Sequence, residues 1–331
     1  MKVAILGATG ETGTSVVNGL LESVNKQYAI TALTRPSSLQ KPEVLSLKDR
    51  GIKVVAADLE GSEDEVAKLL QGIDVVIACV NPKGMLAQIP LANACKAAGV
   101  KRFVPCFFAT IAPPKGILRL RDVKEDVLNH VKKIRLPYTA IDVGWWYQLT
   151  LPRLPSGRNT YAHSGSQDGI AGDGNVPSAL TDLRDVGKYV ARIISDPQTL
   201  NQLVFAYSEL WTQNQVYDLI EKLSDEKIER DYVSVEDIVA GATDAEALSQ
   251  GPESPSYYQV ARLQYWHSWG IRGDNAPEYA RYLGYLIAKD LYPDLQGASL
   301  EVYTQEVLSG KAKVVYERLR AEMAKSSSKS P

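Results

Sequence analysis

The chain has 331 residues, of which 45% are hydrophobic and 23% are charged, and its 37 basic and 39 acidic residues give a formal net charge of −2. These proportions are typical of a folded globular protein of about two domains, and they argue against a disordered or fibrous chain. The balanced charge provides no basic field, so neither nucleic acid nor a membrane is expected as a partner. Three cysteines are too few for a disulfide framework, and the sequence shows neither a leader peptide nor an apolar run of the ~18 residues that a membrane helix needs. We therefore expect a cytoplasmic protein.

The first 150 residues alternate short apolar runs with segments of helical periodicity. Ser62 and Glu65 have the spacing of a capping box, which predicts the start of one of these helices. Strands alternating with helices of this size predict an α/β fold, a Rossmann-type doubly wound parallel sheet covered by helices on both faces. The predicted strands are 3–6, 28–34, 52–58, 74–80, 102–108 and 138–145, and the predicted helices are 13–24, 62–70, 85–98 and 121–134.

After Leu149 the composition changes. Residues 151–177 are rich in glycine and proline and predict loops. Residues 203–207 predict a strand that returns to the sheet, and a helix follows Thr212. We expect residues 151–323 to form mainly a smaller substrate-binding lobe, residues 324–331 to be a disordered tail, and the cleft between the two parts to hold the functional site.

A glycine-rich turn lies between the first strand and the first helix. Its sequence, Gly7-Ala8-Thr9-Gly10-Glu11-Thr12-Gly13, allows the backbone to turn sharply and to approach a diphosphate at the N-terminus of the helix. Because it is the first turn of an alternating βα chain, it predicts a dinucleotide site over 1–150 rather than a tight turn with no ligand. A kinase-type phosphate loop is excluded, because no Gly-Lys-Ser/Thr follows.

The end of the second predicted strand selects the dinucleotide. An acidic residue there would favour NAD, whereas this chain has Arg35, followed by Ser37 and Ser38. A guanidinium group can clamp a 2′-phosphate, so NADP(H) is the predicted cofactor, although Arg35 can also be an ordinary loop arginine. Asp58 is predicted to meet the adenine amine or to be a turn residue. The predicted cofactor contacts are Gly7, Thr9, Gly10, Glu11, Thr12, Gly13, Arg35, Asp58, Leu59, Asn81 and Lys124.

Lys124 is the most informative single residue of the chain. At ~100° per residue it lies near the apolar side of its helix, where an unpaired ammonium group is unfavourable. One interpretation is that the stem packs while the amine reaches water. The other is that the amine points into the cleft, where it anchors a ribose hydroxyl or donates a proton to substrate as the catalytic residue.

Other chemistries fit poorly. The three histidines and three cysteines have no metal-ligand spacing, and no Gly-x-Ser-x-Gly motif is present. Tyr285 and Lys289 have the Tyr-x-x-x-Lys spacing of many dehydrogenases, but they lie far from the sheet on a predicted amphipathic helix, and we interpret the match as coincidence. Cys106 is either a reactive thiol or, more usually for a strand, a buried cysteine.

Aromatic residues follow two of the predicted strands. Because ligands bind at the carboxyl ends of strands in open α/β sheets, these side chains predict a wall for a flat apolar substrate, with packing between the two parts of the chain as the alternative. The predicted substrate contacts are Phe107, Phe108, Trp145, Trp146 and Tyr147.

Together these segments resemble the NmrA-like and isoflavone-reductase-like branch of the atypical short-chain dehydrogenases. The resemblance covers nearly the whole chain and rests on the order of its segments, which are GATGETG at 7–13, AGVKRFVP at 98–105, VKEDV at 123–127, LPYTAI at 136–141, the Gly-Asp-Gly loop and following helix at 171–199, and LYPDLQGASLEVY at 291–303. It implies NADP(H), the 2′-phosphate arginine at Arg35 and the active-site lysine at Lys124.

One departure from that family bears on the substrate. Where the reductases usually have Ser-Glu-Phe, this chain has Cys106-Phe107-Phe108, which predicts a more apolar pocket. We expect an NADPH-dependent reductase that transfers hydride to an aromatic or conjugated small molecule, as a monomer or homodimer. An NADP(H)-sensing regulator and a redox-neutral isomerase or cyclase on the same scaffold are the alternatives, because a fold does not determine a function.

Overall fold

The computed structural model describes residues 1–163, 169–249 and 254–317. The first half of the chain alternates strands with helices. Its central strands are rich in valine, isoleucine and alanine and are buried on both faces, as a covered parallel sheet requires. The elements of this half are β1 (Lys2–Leu6), α1 (Glu11–Leu21), β2 (Ala29–Thr34), α2 (Pro42–Asp49), β3 (Lys53–Ala56), α3 (Glu63–Leu69), β4 (Val75–Ala78), α4 (Gln88–Ala97), β5 (Arg102–Val104), α5 (Arg119–Lys133) and β6 (Thr139–Asp142).

The second half is less regular, and several of its strands have two residues. The helix over Pro255–Tyr265 continues through Trp266–Ile271 with the wider π-helical turn, a form that often occurs near functional sites. The elements of this half are β7 (Trp145–Trp146), β8 (Ile170–Ala171), β9 (Ser178–Thr181), α6 (Leu183–Ile193), β10 (Gln202–Phe205), β11 (Glu209–Trp211), α7 (Gln213–Ser224), β12 (Tyr232–Val233), α8 (Val235–Ala247), α9 (Pro255–Tyr265), α10 (Pro277–Tyr282), β13 (Leu286–Ile287), α11 (Ala288–Leu291) and α12 (Leu300–Leu308).

The main sheet is parallel and doubly wound. Its first part has the order β3-β2-β1-β4-β5, and a bridge between Phe103 and Tyr138 joins β5 to the segment that leads into β6. Strands β10 and β13 then continue the sheet beyond β6 in the same direction. The strand order reverses between β1 and β4, which is where a crevice opens at the carboxyl ends of the strands. The prediction of a Rossmann-type α/β fold is confirmed.

Helix α6 fixes α1, and thereby the turn before it, against the sheet. The two helices cross at Gly19 and Gly187, where a Cβ on Gly187 would lie 1.8 Å from the carbonyl oxygen of Ser15. The Ser15 hydroxyl joins the helices as well, because it accepts a hydrogen bond from the Gly187 amide (3.0 Å) and donates one to the Arg184 carbonyl (3.2 Å). Close backbone contact of this kind leaves α1 little freedom to shift.

Two predicted strands end earlier than expected. The predicted strand 138–145 stops at Asp142, because Gly144 has a positive φ of 73° and redirects the chain. Trp145–Trp146 then forms β7 in a separate sheet of order β11-β9-β7. The predicted strand 102–108 stops at Val104, and Phe108 has a positive φ of 29°. The expectation that these aromatic residues end the strands of the main sheet is therefore wrong.

Other local predictions are also corrected. Ser62 stands at the N-cap of α3, but its side chain accepts no capping bond within the described residues, so the capping box does not form. Tyr285 lies directly before β13 and Lys289 lies on the four-residue helix α11 after it, so the two residues do not share one amphipathic helix. Elements α6, β10 and β13 come after residue 150 and yet lie against or within the main sheet. The division of the chain into two parts at residue 150 therefore stays a prediction. The predicted tail, 324–331, lies outside the described residues.

Candidate cofactor and active site

The glycine turn, residues 7–13, is built so that only glycine fits at two positions. Gly7 follows β1 with a φ of +80°, and a Cβ there would lie 2.0 Å from the carbonyl oxygen of Cys79 on the neighbouring strand. A Cβ on Gly13 would lie 2.0 Å from the carbonyl oxygen of Gly7. The Gly10 amide donates to that same oxygen (3.0 Å), which closes the turn. The turn therefore presents backbone rather than side chains to the crevice.

The first turn of α1 offers free hydrogen-bond donors. The Thr14 amide donates to Gly10 (2.8 Å), but the amides of Glu11, Thr12 and Gly13 have no acceptor among the described residues. These donors lie at the positive end of the helix dipole. Donors of this kind at a helix N-terminus can hold an anion such as a diphosphate.

The remaining predicted cofactor contacts lie at the ends of the next strands. Arg35 is exposed directly after β2, and its guanidinium group has no ion-pair partner in the part of the chain that the structure describes. Asp58 is exposed after β3 and accepts a hydrogen bond from the Glu60 amide (3.0 Å), and Leu59 beside it is half-buried. Asn81 follows β4 and accepts from the Gly84 amide (3.1 Å). All four lie after carboxyl ends of the parallel strands, and Asp58 and Asn81 use their side chains within local turns.

Lys124 lies inside the protein, on α5. It is 5% exposed, and its Nζ donates to the carbonyl oxygens of Cys106 (2.7 Å) and Phe107 (2.5 Å), just beyond β5. The interpretation in which the amine reaches water is therefore wrong. Burial lowers the pKa of Lys124, whereas the nearby Cys106 and Asp142 oppose that shift. The ammonium group is held at the carboxyl end of the sheet in a dry environment.

A buried ionic network surrounds this lysine. Arg121, one helical turn before Lys124, binds the carboxylate of Asp142 at the end of β6 (2.7 Å) and that of Glu125 (2.8 Å). The Tyr285 hydroxyl donates to Asp142 (2.7 Å) and also meets Arg121. The other oxygen of Asp142, Oδ1, is buried without a partner among the described residues. We call Cys106, Arg121, Lys124, Asp142 and Tyr285 the lysine cluster.

Sequence reasoning found Lys124, missed Arg121 and Asp142, and noticed Tyr285 only for its spacing to Lys289, which it set aside. Arg121 shares a helix face with Lys124, which is a signal that could have been used. Tyr285 lies 143 residues from Asp142, and no local pattern links the two. Lys289 does not join Tyr285, because its Nζ donates to the Ser208 carbonyl. This geometry agrees with the interpretation of the Tyr-x-x-x-Lys spacing as coincidence.

The five predicted substrate contacts separate into two groups. Phe107 is 1% exposed, packs with Leu128 and Ala140, and lies under the Arg121 guanidinium (4.6 Å). Tyr147 is fully buried, and its hydroxyl donates to Glu209 (2.7 Å). These two side chains belong to the core because the strands end before them, and we leave them out of the substrate site.

The other three aromatic residues, Phe108, Trp145 and Trp146, have different surroundings. Trp145 contacts Tyr265 (ring centroids 4.9 Å apart) and Trp269 (6.0 Å) on the helix formed by α9 and its π-helical continuation. Trp146 stacks on Tyr316 (5.9 Å), and Phe108 is 5% exposed in the core cluster of the sheet. The indole nitrogen of Trp269 is buried without a partner among the described residues.

The cysteines and histidines do not form a second centre. Cys106 is buried, and its thiol donates to the Val80 carbonyl (3.3 Å). No group of three or more histidine, cysteine or acidic residues that could hold a metal ion occurs in the described residues. Within the same ranges no helix combines the length and apolarity needed to cross a bilayer.

The sheet order and the glycine turn define a protein of the Rossmann class. A family model described as the NmrA-like family matches residues 1–249. The chain belongs to the NmrA-like family, and the predicted resemblance is confirmed.

Relatives of known name match almost the full length. The chain is 49% identical over 314 residues to the asnovolin J 5′,6′-dehydrogenase of Aspergillus novofumigatus, covering 94% of this chain and 96% of that protein. It is 26% identical to an isoflavone reductase-like protein of Olea europaea, covering 92% and 98%. Among solved structures, the complex of leucoanthocyanidin reductase with NADPH from Vitis vinifera superposes with a TM-score of 0.77 at 24% identity, covering 93% and 100%. This last likeness shows the shared fold.

Proposed function

We propose that the chain is an NADP(H)-dependent oxidoreductase that transfers hydride between the nicotinamide ring and a carbon of an aromatic or conjugated secondary metabolite. The names of its relatives, a dehydrogenase and several reductases, support this class. The observation that carries the proposal is the buried ammonium group of Lys124 at the carboxyl end of β5, at the same edge of the sheet as the free amides of α1.

The residues present fit a dinucleotide phosphate. The amides of the glycine turn would hold the diphosphate, and a side chain at Gly7 or Gly13 would collide with backbone. The exposed guanidinium of Arg35 would bind the 2′-phosphate in a bidentate manner. Asp58, Leu59 and Asn81 would border the adenosine and central parts of the cofactor. When bound, NADP(H) supplies or accepts the hydride.

Lys124 has one donor left for catalysis. An ammonium group has three N–H bonds, and two of them are used by the carbonyls of Cys106 and Phe107. The third is available to a ribose hydroxyl or to a substrate oxygen on which negative charge develops. Because burial lowers the pKa of Lys124, proton release to that oxygen is easier than from a lysine in water. Lys124 thus both anchors the ribose of the cofactor and donates a proton to the substrate.

The substrate site is lined by Phe108, Trp145 and Trp146 on the sheet side. Tyr265 and Trp269 face Trp145 from the second half of the chain. Rings at these distances offer flat apolar walls, which suit an aromatic or conjugated substrate. The cytoplasmic location and the monomeric or homodimeric state remain predictions.

Titration calorimetry with NADPH, NADP⁺, NADH and NAD⁺ is the first test. We expect heat with the two phosphorylated forms at concentrations where the others give little, and absence of heat with all four would overturn the proposal. The second step offers aromatic and conjugated compounds with NADPH, and their saturated counterparts with NADP⁺, while the absorbance of the reduced nicotinamide is followed. Binding without hydride transfer in either direction would favour the sensor, and a product of unchanged mass would favour the isomerase.

A further inference from the structure

After α12 the chain crosses from the second half of the molecule to the first. Ala312 is buried in the apolar cluster that contains α7 and α12, and its amide donates to the Tyr161 hydroxyl (3.3 Å). Three residues later, Val315 is 2% exposed in the core cluster of the main sheet. We call residues 311–317 the C-terminal strap, because they connect the two parts on one side of the crevice.

Tyr316 holds the strap at two points. Its amide donates to the Glu11 carboxylate (2.9 Å), and Glu11 is the first residue of α1. Its ring stacks on Trp146, with centroids 5.9 Å apart and planes inclined by 19°. The backbone of Tyr316 has a φ of +56°, which is unfavourable for a residue with a side chain. Contacts at both ends of this residue therefore stabilise a conformation that the strap would not adopt alone.

The strap is attached to the start of α1, where the diphosphate of the dinucleotide is expected. The amide of Glu11 is one of the free donors at the start of α1, and the carboxylate of the same residue holds the strap. Tyr316 therefore touches the first residue of α1 through its amide and Trp146 of β7 through its ring.

We propose that the C-terminal strap covers the NADP(H) site. The contacts of Tyr316 with Glu11 and Trp146 must then break before the dinucleotide dissociates. This inference rests on the cofactor binding proposed above. Among the described residues, the strap is attached to the first half of the chain by the hydrogen bond from the Tyr316 amide, by one aromatic stack and by one buried valine. Such an attachment slows cofactor release without preventing it, and removal of the aromatic ring is expected to accelerate release roughly 10-fold.

The test is the rate of NADPH dissociation from the full chain. The protein is loaded with NADPH, mixed rapidly with excess NADP⁺, and followed by nicotinamide fluorescence. We expect Tyr316→Ala to dissociate roughly 10-fold faster and Tyr316→Phe, which keeps the stack, to stay within about twofold of the natural chain. Tyr282→Ala is the matched control, because Tyr282 stacks on Tyr279 with nearly the same geometry (5.8 Å, 17°) and is 81% exposed on α10.

Hydrogen exchange gives a second, independent measurement. Amides of 311–317 are expected to exchange more slowly when NADPH is bound, and this protection should be lost in Tyr316→Ala. An unchanged dissociation rate in Tyr316→Ala, or equal hydrogen exchange of the strap with and without NADPH, would overturn the proposal that the strap covers the site. The proposed binding of the cofactor would be unaffected by that result. Absence of NADPH binding by the natural chain would overturn both.

Discussion

The glycine turn and the lysine cluster lie at the same edge of the sheet and are built in opposite ways. The glycine turn spans seven consecutive residues, and the backbone amides of Glu11, Thr12 and Gly13 have no partner in the described chain. The lysine cluster uses side chains from α5, from the end of β6 and from the residue before β13, and these side chains are buried and mostly bound to each other. The free amides of the glycine turn are expected to bind a ligand, whereas the side chains of the lysine cluster are organised by their contacts within the protein.

This difference separates binding from stability. A change at the exposed Arg35 is expected to remove a contact to a ligand and to leave the fold as it was, whereas a side chain at Gly7 or Gly13 would also collide with backbone. A change in the lysine cluster leaves a buried charge without its partner, which affects the folded state itself. The following substitutions test whether the two regions separate in this way.

Lys124→Ala is expected to have the largest effect on turnover. Loss of a positioned proton donor reduces the rate by roughly 10²–10⁴-fold, while NADPH affinity falls by less than about 10-fold because the diphosphate donors remain. Turnover and calorimetry on the same preparation measure the two quantities. Lys133→Ala, an exposed lysine on the same helix, is the control and should change neither. Equal losses in binding and turnover would show that Lys124 only anchors the cofactor.

Asp142→Ala is expected to lower the free energy of unfolding by about 3–5 kcal/mol. The substitution leaves the Arg121 guanidinium buried with only part of its bonding satisfied. Asp126→Ala removes an ion pair to Lys115 of the same length, 2.7 Å, but both side chains are more than half exposed, so a loss of under ~1 kcal/mol is expected. Denaturant titration measures both. Similar losses of unfolding free energy in the two variants would mean that the buried ion pair of Asp142 stabilises the fold no more than a surface ion pair does.

The two regions also differ in how far sequence predicts them. The glycine turn follows from seven adjacent residues between a strand and a helix, and the structure supplies the steric reason for Gly7 and Gly13. Helical periodicity likewise placed Lys124 on a buried face. These features depend on local geometry, which short patterns encode.

The partners of Lys124 depend on contacts between distant segments. Its acceptors are backbone carbonyls, which carry no sequence signal, and Phe107 entered the core because β5 stops at Val104 rather than at 108. Tyr285 lies beside a two-residue strand that pairs with β10, which a helical pattern concealed. The return of the strap to Glu11 spans 305 residues of sequence and has no local signature.

Arg35→Ala tests the ligand-dependent region. NADPH affinity is expected to fall by roughly 10–100-fold, because a charge-assisted contact to the 2′-phosphate is lost, while NADH affinity and the unfolding free energy stay unchanged. Calorimetry with both cofactors gives the ratio. Arg50→Ala controls for surface charge, since that arginine binds Asn18 at the far end of α1 (2.7 Å). Equal losses for the two cofactors would reject the assignment of Arg35 to the 2′-phosphate.

The pH dependence of Lys124 connects binding, stability and chemistry. Burial places its folded-state pKa below the ordinary value of 10.5, with Cys106 and Asp142 opposing the shift and Arg121 adding to it. As a proton donor it must be charged, so turnover should fall as pH rises through that lowered pKa. In the same interval, up to 10.5, the unfolded chain binds more protons than the folded one, so the contribution of Lys124 to stability should rise with pH. Subtracting the stability curve of Lys124→Met from that of the natural chain isolates this contribution. If turnover and the contribution of Lys124 to stability both rise or both fall with pH in this interval, the assignment of Lys124 as a buried acid is contradicted.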